Sequence, residues 1–151
     1  MNTHNPYQVS QPITEPEDFF GRKTEFQMVY EMLLSGDSVN LIGPRRIGKS
    51  SFLKVLPMPA MQQRVFGKEV LREKHVFASV NLQDSMYDTP ANLLNDVVEQ
   101  LKENGVEFDA AIQTYADFKK ALKILSEKDI RLILLFDEFD SVKQNDQFEL
   151  K

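Results

Sequence analysis

Apolar residues recur along this chain at two spacings, which alternate from one segment to the next. Helical spacing covers about Lys23 to Ser35, and the same spacing predicts helices from Lys49 to Leu56, from Thr89 to Gly105 and from about Tyr115 to Ser126. The predicted apolar face of the first helix consists of Phe26, Val29, Tyr30, Leu33 and Leu34.

Short, nearly continuous apolar runs lie between these helices. They predict buried strands at Ser38 to Ile42, His75 to Leu82 and Ile130 to Phe136. The segment from Pro57 to Lys74 has a weaker pattern, which indicates a loop with a helical piece around Ala60 to Leu71. Helices alternating with apolar strands predict an α/β fold whose parallel sheet is flanked by helices.

Composition narrows the classes of protein that this chain can belong to. Its 151 residues suit one domain, and its net charge of −5 argues against nucleic-acid binding by this segment. The absence of cysteine excludes disulfides and thiolate metal sites and fits a reducing cytoplasm. No apolar stretch has transmembrane length and the N-terminus is no signal peptide, so we expect a cytoplasmic protein that does not contact membranes.

The most specific chemical signal is a glycine-rich run that follows the first predicted strand. It fits the phosphate-binding pattern G-x-x-x-x-G-K-[ST] at every specified position. The run and the residue after it are Gly43, Pro44, Arg45, Arg46, Ile47, Gly48, Lys49, Ser50 and Ser51. In this pattern the glycines let backbone N–H groups surround phosphate oxygens, Lys49 reaches the β- and γ-phosphates, and the Ser50 hydroxyl binds Mg²⁺. A glycine-rich turn that binds nothing is the alternative.

An acidic pair follows the last predicted strand. Asp137 and Glu138 come directly after the apolar run Ile130 to Phe136, at the strand end where open α/β sheets place their ligands. The run has the form of a Walker B motif, in which Asp137 holds the Mg²⁺ shell and Glu138 acts as general base toward water. The alternative is a strand capped by two solvated acids, and Asp140 is interpreted as a surface acid.

Three stretches together resemble one family. They are Phe20-Gly21-Arg22-x-x-Glu25, the loop Gly43 to Ser51, and Leu134 to Glu138, and they are similar to prokaryotic P-loop ATPases of the STAND/AAA-like group, which includes archaeal-type ATPases. The end of the second predicted strand, Val80 to Asp84, is also similar to bacterial members. The resemblance covers about Asn5 to Lys151 and implies a P-loop NTPase sheet with ATP and Mg²⁺ as cofactors.

The resemblance also implies a place for the nucleotide base. In the family, the segment around Phe19 to Glu25 lies near the base, so Phe20 or Gly21 is expected to line an adenine pocket. The alternative is that Phe19 and Phe20 form a hydrophobic staple onto the first helix. Arg46 is expected either to touch the γ-phosphate or another domain, or to be an exposed cation.

The chain departs from the family after the Walker B strand. We expect an extended arm over residues 1–18 and the N-terminal portion of a P-loop ATPase domain over 19–151, truncated before the sensor strands and lid. In this class the strand after Walker B lies between the two motif strands, and this segment lacks it. The sensor and any arginine finger are also absent, so we expect these 151 residues alone not to hydrolyse ATP.

The expected function is Mg-ATP binding, with hydrolysis acting as a conformational switch in a full-length ATPase. The alternatives are a nucleotide-binding scaffold or antitoxin-like module without turnover, and a DNA-remodelling ATPase of the origin-recognition type. The expected partners are nucleotide, further copies of the chain in an ATP-bound homo-oligomer, and an effector domain or protein that the sequence does not identify.

Overall fold

The computed structural model describes residues 12–71, 74–84, 89–107 and 114–144. Within these ranges it has five α-helices and two β-strands, with short 3-10 helices at Pro16–Asp18 and Phe139–Gln144. In chain order the main elements are α1 (Lys23–Ser35), α2 (Lys49–Val55), α3 (Pro59–Phe66), β1 (His75–Asn81), α4 (Pro90–Glu103), α5 (Tyr115–Glu127) and β2 (Arg131–Asp137). The chain divides into two compact units, Met1–Arg72 and Glu73–Lys151.

An aromatic core joins the helices of the first unit. Phe26 of α1 stacks on Phe52 of α2 with ring centroids 3.8 Å apart, and Phe19 meets both rings edge-on. Tyr30 is fully buried, and its hydroxyl donates to the Leu56 carbonyl at 2.7 Å. Burial raises the pKa of Tyr30, so this phenol stays protonated and remains a donor. The predicted apolar face of α1 therefore packs as a core through Phe26, Val29 and Tyr30, whereas Leu34 is 39% exposed.

The last residues of the predicted arm pack within the first unit. The Arg64 guanidinium on α3 donates to the carbonyls of Pro16 at 2.8 Å and Phe19 at 2.5 Å. Pro16 and Phe19 are themselves buried. Residues 1–11 of the predicted arm lie outside the described residues.

A parallel strand pair forms the base of the second unit. β1 pairs with β2 in a register that runs from His75 opposite Arg131 to Asn81 opposite Asp137. Helices α4 and α5 connect the two strands; α4 packs on β1, α5 packs on β2, and the helices contact each other. The core between them consists of Ala78, Val80, Val97, Val98, Leu101, Val106, Phe118, Ala121 and Leu125.

Both long helices of this unit begin where the sequence predicts. The Thr89 side chain caps α4, with Pro90 at the first helical position. Thr114 and Asp117 form a complete capping box at the start of α5. These caps satisfy N–H groups that the first turn of a helix leaves without a partner.

The outer edge of β1 is closed by a side chain. Ser79 N–H donates to Gln100 Oε1 at 2.8 Å, and Gln100 Nε2 donates to the Ser79 carbonyl at 2.9 Å. The Gln100 amide thus takes the place that a neighbouring peptide group would occupy in a wider sheet. This exchange links α4 to β1 by hydrogen bonds as well as by apolar packing.

The prediction of a strand at Ser38 to Ile42 is wrong for the described structure. These residues form no strand, and Ile42 is 89% exposed. An apolar run becomes a strand only when a neighbouring strand accepts its hydrogen bonds, and no such pairing occurs within the described ranges. The structure is therefore mixed α/β, with a two-stranded parallel sheet in its described part.

Candidate functional site

The glycine-rich loop lies between the irregular segment after α1 and the first turn of α2. Its two glycines meet different steric demands. A Cβ on Gly43 would lie 3.1 Å from Ile47 Cγ2, because the loop curls back on itself and brings the Ile47 side chain close to Gly43. Gly48 has φ of +90°, which side-chain-bearing residues rarely adopt. The spacing of the motif therefore reflects one close approach and one left-handed residue.

A second left-handed residue tightens the turn. Arg46 has φ of +63°, and both Arg45 and Arg46 are exposed. A non-glycine residue in this region carries a backbone cost of about 1 kcal/mol or more. The loop thus presents two cations beside Lys49, on a chain whose net charge is −5.

The Lys49 side chain folds back across the loop. Its Nζ atom donates to the carbonyls of Gly43 at 2.8 Å and Pro44 at 3.0 Å. The ammonium is therefore held over the mouth of the loop by the loop's own backbone. Lys49 is also the first residue of α2, so its own backbone N–H precedes the helical ladder.

Helix α2 leaves a set of N–H groups beside this lysine. Its first backbone bond runs from Phe52 N–H to the Gly48 carbonyl at 2.9 Å. The N–H groups of residues 48–51 therefore precede the helical ladder. These donors follow the left-handed turn at Gly48, as a phosphate-binding loop requires.

The two serines of the motif have different surroundings. Ser50 is half-buried at the start of α2. Ser51 is 8% exposed, and its Oγ accepts a hydrogen bond from Ile13 N–H at 2.9 Å. The Ser51 side chain is thus engaged by the chain segment that precedes Pro16, whereas Ser50 remains the hydroxyl beside Lys49.

The structure separates the two adjacent phenylalanines. Phe19 is 5% exposed within the aromatic core, whereas Phe20 is 69% exposed. Gly21 follows with φ of +78° and has open space around it. The packing role considered for this pair therefore belongs to Phe19, and the Phe20 ring stays accessible.

The acidic pair lies in the second unit, at the carboxyl end of β2. Asp137 is half-buried and Glu138 is exposed, with φ of +53°. Asp137 Oδ1 accepts a hydrogen bond from Glu138 N–H at 3.0 Å, and the Glu138 carbonyl accepts one from Ser141 N–H at 2.9 Å. The backbone therefore turns sharply at Glu138, which directly follows Asp137, the last paired residue of the strand.

Arg22 is a site residue that pattern reasoning did not identify. Its guanidinium donates through Nη2 to the carbonyl of Ile47, inside the glycine-rich loop. The only signal in the sequence is the Gly21-Arg22-x-x-Glu25 segment, which indicates a family resemblance but not this contact. The 25 residues that separate the two partners put the contact beyond any local pattern.

Two kinds of feature are absent from the described residues. Across the described ranges, no three His, Asp or Glu side chains come together as a potential set of metal ligands. In the same ranges, no helix combines the length and apolar character needed to cross a membrane.

Comparisons with protein-family models, with curated proteins and with solved structures found no match.

Proposed function

We propose that this chain binds Mg-ATP through the loop Gly43 to Ser50. The proposal is carried by one observation: at the spacing G-x-x-x-x-G-K-[ST], the Lys49 ammonium is folded over the loop, within 3.0 Å of two loop carbonyls. The left-handed turn at Gly48 and the N–H groups that begin α2 support the same ligand. The P-loop ATPase fold of the STAND/AAA-like group is part of this proposal.

The proposal assigns tasks to Lys49, to the backbone from Gly48 onward and to the two arginines of the loop. Lys49 pairs with phosphate oxygens in place of the carbonyls of Gly43 and Pro44, while backbone N–H groups from Gly48 onward donate to the same oxygens. Arg45 and Arg46 add positive charge at the loop's rim. The exposed Phe20 ring beside Gly21 offers a stacking surface for the base.

Magnesium fits the oxygen donors of these two motifs. Mg²⁺ bound with a nucleotide takes most of its ligands from phosphate and water, so one hydroxyl and one carboxylate complete its shell. Ser50 offers a hydroxyl within the loop, and the sequence pattern alone makes Asp137 the candidate carboxylate. When bound, the metal supplies charge neutralisation of the phosphates.

Hydrolysis is the second part of the proposal. Glu138 follows Asp137 at the end of β2, and its exposed carboxylate would accept a proton from water at one of its oxygens. Loss of the γ-phosphate then acts as a switch, because contacts that depend on the phosphate and Mg²⁺ are released.

Binding is tested with Lys49→Ala against the matched control Lys54→Ala. Both lysines belong to α2, but Lys54 is an exposed residue in its last turn. Isothermal titration with Mg-ATP should show an affinity loss of about tenfold or more for Lys49→Ala, the effect of one lost charge-assisted hydrogen bond. Lys54→Ala should bind as wild type. Equal affinity of all three proteins would refute the site.

Hydrolysis is tested in the full-length protein with Glu138→Gln against Asp140→Asn. Glu138→Gln should keep Mg-ATP affinity while phosphate release falls about 10²- to 10⁴-fold, as expected when a positioned base is lost. Asp140→Asn, two positions further on, should retain turnover. Tight binding by the wild type with no phosphate release in a single-turnover assay would instead favour a nucleotide-binding module without turnover.

A further inference from the structure

One contact joins the start of α1 to the glycine-rich loop. Arg22 precedes α1 as its N-cap residue in a left-handed conformation, with φ of +52°, and its side chain makes no capping bond. Instead, its guanidinium donates through Nη2 to the Ile47 carbonyl in a solvent-exposed contact. Both partners lie in the first unit, so the contact is internal to one compact body.

The Ile47 carbonyl and the Gly48 N–H belong to the same peptide group. A trans peptide is planar, and its C=O and N–H bonds point in opposite directions. The described chain has no cis peptide bond. When Arg22 holds the carbonyl on its own side of the loop, the Gly48 N–H must therefore point to the other side.

The Ile47–Gly48 peptide also needs such a restraint. Gly48 lacks a Cβ, so the peptide before it can rotate with little steric resistance. A rotated peptide would turn a carbonyl oxygen, rather than an N–H, toward a bound phosphate. Arg22 opposes this rotation, because it would break a charge-assisted hydrogen bond.

The guanidinium also lies close to Gly48 itself. Its two terminal nitrogens are 4.0 Å from the position of a Cβ built on Gly48, an ordinary van der Waals separation. The requirement for glycine there thus comes from φ of +90° and not from crowding by Arg22. Arg22 consequently acts on the peptide through its hydrogen bond.

We propose that Arg22 is a positioning residue for phosphate recognition: by holding the Ile47 carbonyl, it turns the Gly48 N–H toward the phosphate. This inference rests on the proposed function, because it assigns the Gly48 amide as a phosphate donor. It adds a residue from before α1 to a site that the motif alone confines to residues 43–50.

The chain offers a matched control in Arg64. That arginine also holds backbone carbonyls within the first unit, those of Pro16 and Phe19, and both of these residues lie outside the loop. Arg22→Gln and Arg64→Gln therefore each remove a guanidinium-to-carbonyl link from the same unit. Arg22→Lys keeps a cationic donor and should lie between wild type and Arg22→Gln.

The experiment combines affinity with a spectroscopic signature. Isothermal titration with Mg-ATP and with inorganic tripolyphosphate, well below each variant's unfolding temperature, should show about tenfold weaker binding of both ligands to Arg22→Gln. Arg64→Gln should bind both as wild type does. NMR should show altered Ile47 carbonyl ¹³C and Gly48 amide ¹⁵N shifts in Arg22→Gln only, because only this variant loses the hydrogen bond to that peptide.

Other outcomes overturn the inference in distinguishable ways. If Arg22→Gln binds as wild type while Lys49→Ala does not, the nucleotide site stands and the role of Arg22 falls. Equal losses in Arg22→Gln and Arg64→Gln would mean general destabilisation. Weaker binding with unchanged Ile47 and Gly48 shifts would mean that the guanidinium acts on phosphate directly. If the wild type binds neither ligand, the proposed function and this inference fail together.

Discussion

The two units of this chain are stabilised internally by different kinds of contact. In the first unit, contacts distant in sequence set the structure: Phe26 on Phe52, Arg64 on the carbonyls of Pro16 and Phe19, and Arg22 on Ile47. In the second unit, local caps start α4 and α5, whose apolar stripes then pack on a regular strand pair.

This contrast has a consequence for the candidate site. The glycine-rich loop occurs in the unit that depends on distant contacts, whereas the acidic pair ends a strand that regular pairing holds. Loop geometry should therefore be sensitive to substitutions far from it in sequence. The acidic pair should respond mainly to changes in its own strand and helices.

The largest effect should come from breaking the aromatic core of the first unit. Phe26→Ala removes a fully buried ring that stacks on Phe52, the latter in the same helix as Lys49. We expect a loss of about 3–5 kcal/mol in the free energy of unfolding, measured by urea denaturation followed by circular dichroism. Phe20→Ala removes a 69% exposed ring and should stay within about 0.5 kcal/mol of wild type. Similar losses for the two variants would contradict the assignment of Phe26 to the core and Phe20 to the surface.

A smaller effect should follow from removing a local start signal in the second unit. Thr114→Ala deletes the hydroxyl oxygen that accepts a hydrogen bond from Asp117 N–H at the start of α5. The reciprocal bond of the capping box, from Thr114 N–H to Asp117 Oδ2, is left without this partner bond. The expected cost is about 1 kcal/mol of unfolding free energy. Thr89→Ala provides the comparison, because Thr89 caps α4 with one longer bond of 3.3 Å. Wild-type stability of Thr114→Ala would show that tertiary packing alone maintains this helix.

The smallest effect should be a pH dependence that arises at the start of β1. Burial, with a further contribution from the Arg131 charge, lowers the pKa of His75 below its ordinary value. Its Nε2 atom is buried and has no hydrogen-bond partner among the described residues. The unfolded chain therefore binds the proton more readily than the folded chain, so stability is full at neutral pH and falls as pH drops through about 6.5.

This pH dependence can be isolated with one variant. Unfolding free energies of wild type and His75→Gln, measured between pH 7.5 and pH 5, should differ in slope, with the shallower slope in the variant. Asp129 gives a contribution of the same sign at lower pH, because the hydrogen bond and charge of Lys74 lower its pKa. Parallel slopes for the two proteins across this range would exclude His75 as the source.

Several elements of the fold could be predicted because their signals are local. The bounds of α1 and the capping box at Thr114 follow from spacing and from residues within one turn. The strand predicted at Ile130 to Phe136 is observed at Arg131–Asp137. The prediction of a strand at Ser38 to Ile42 was wrong because an apolar run does not specify its pairing partner.

The residues of the candidate site also differ in whether local sequence signals identify them. The residues from Gly43 to Ser50, and the pair Asp137 and Glu138, were identified from sequence because each set is contiguous and its chemistry is tied to fixed spacing. Arg22 and Ile13 could not be identified in this way. Their contacts with Ile47 and Ser51 bridge 25 and 38 residues, and no sequence period relates such positions.

The amino-acid sequence by itself determined which residues begin the helices, which stripes are apolar and where a phosphate-binding pattern occurs, since these depend on neighbours a few bonds away. Only the tertiary structure decided that Phe19 is buried while Phe20 is exposed, that Gln100 closes the edge of β1, and that Arg22 holds the Ile47 carbonyl. Those outcomes depend on which distant groups satisfy a buried ring or a backbone polar group, and folding alone brings such groups together.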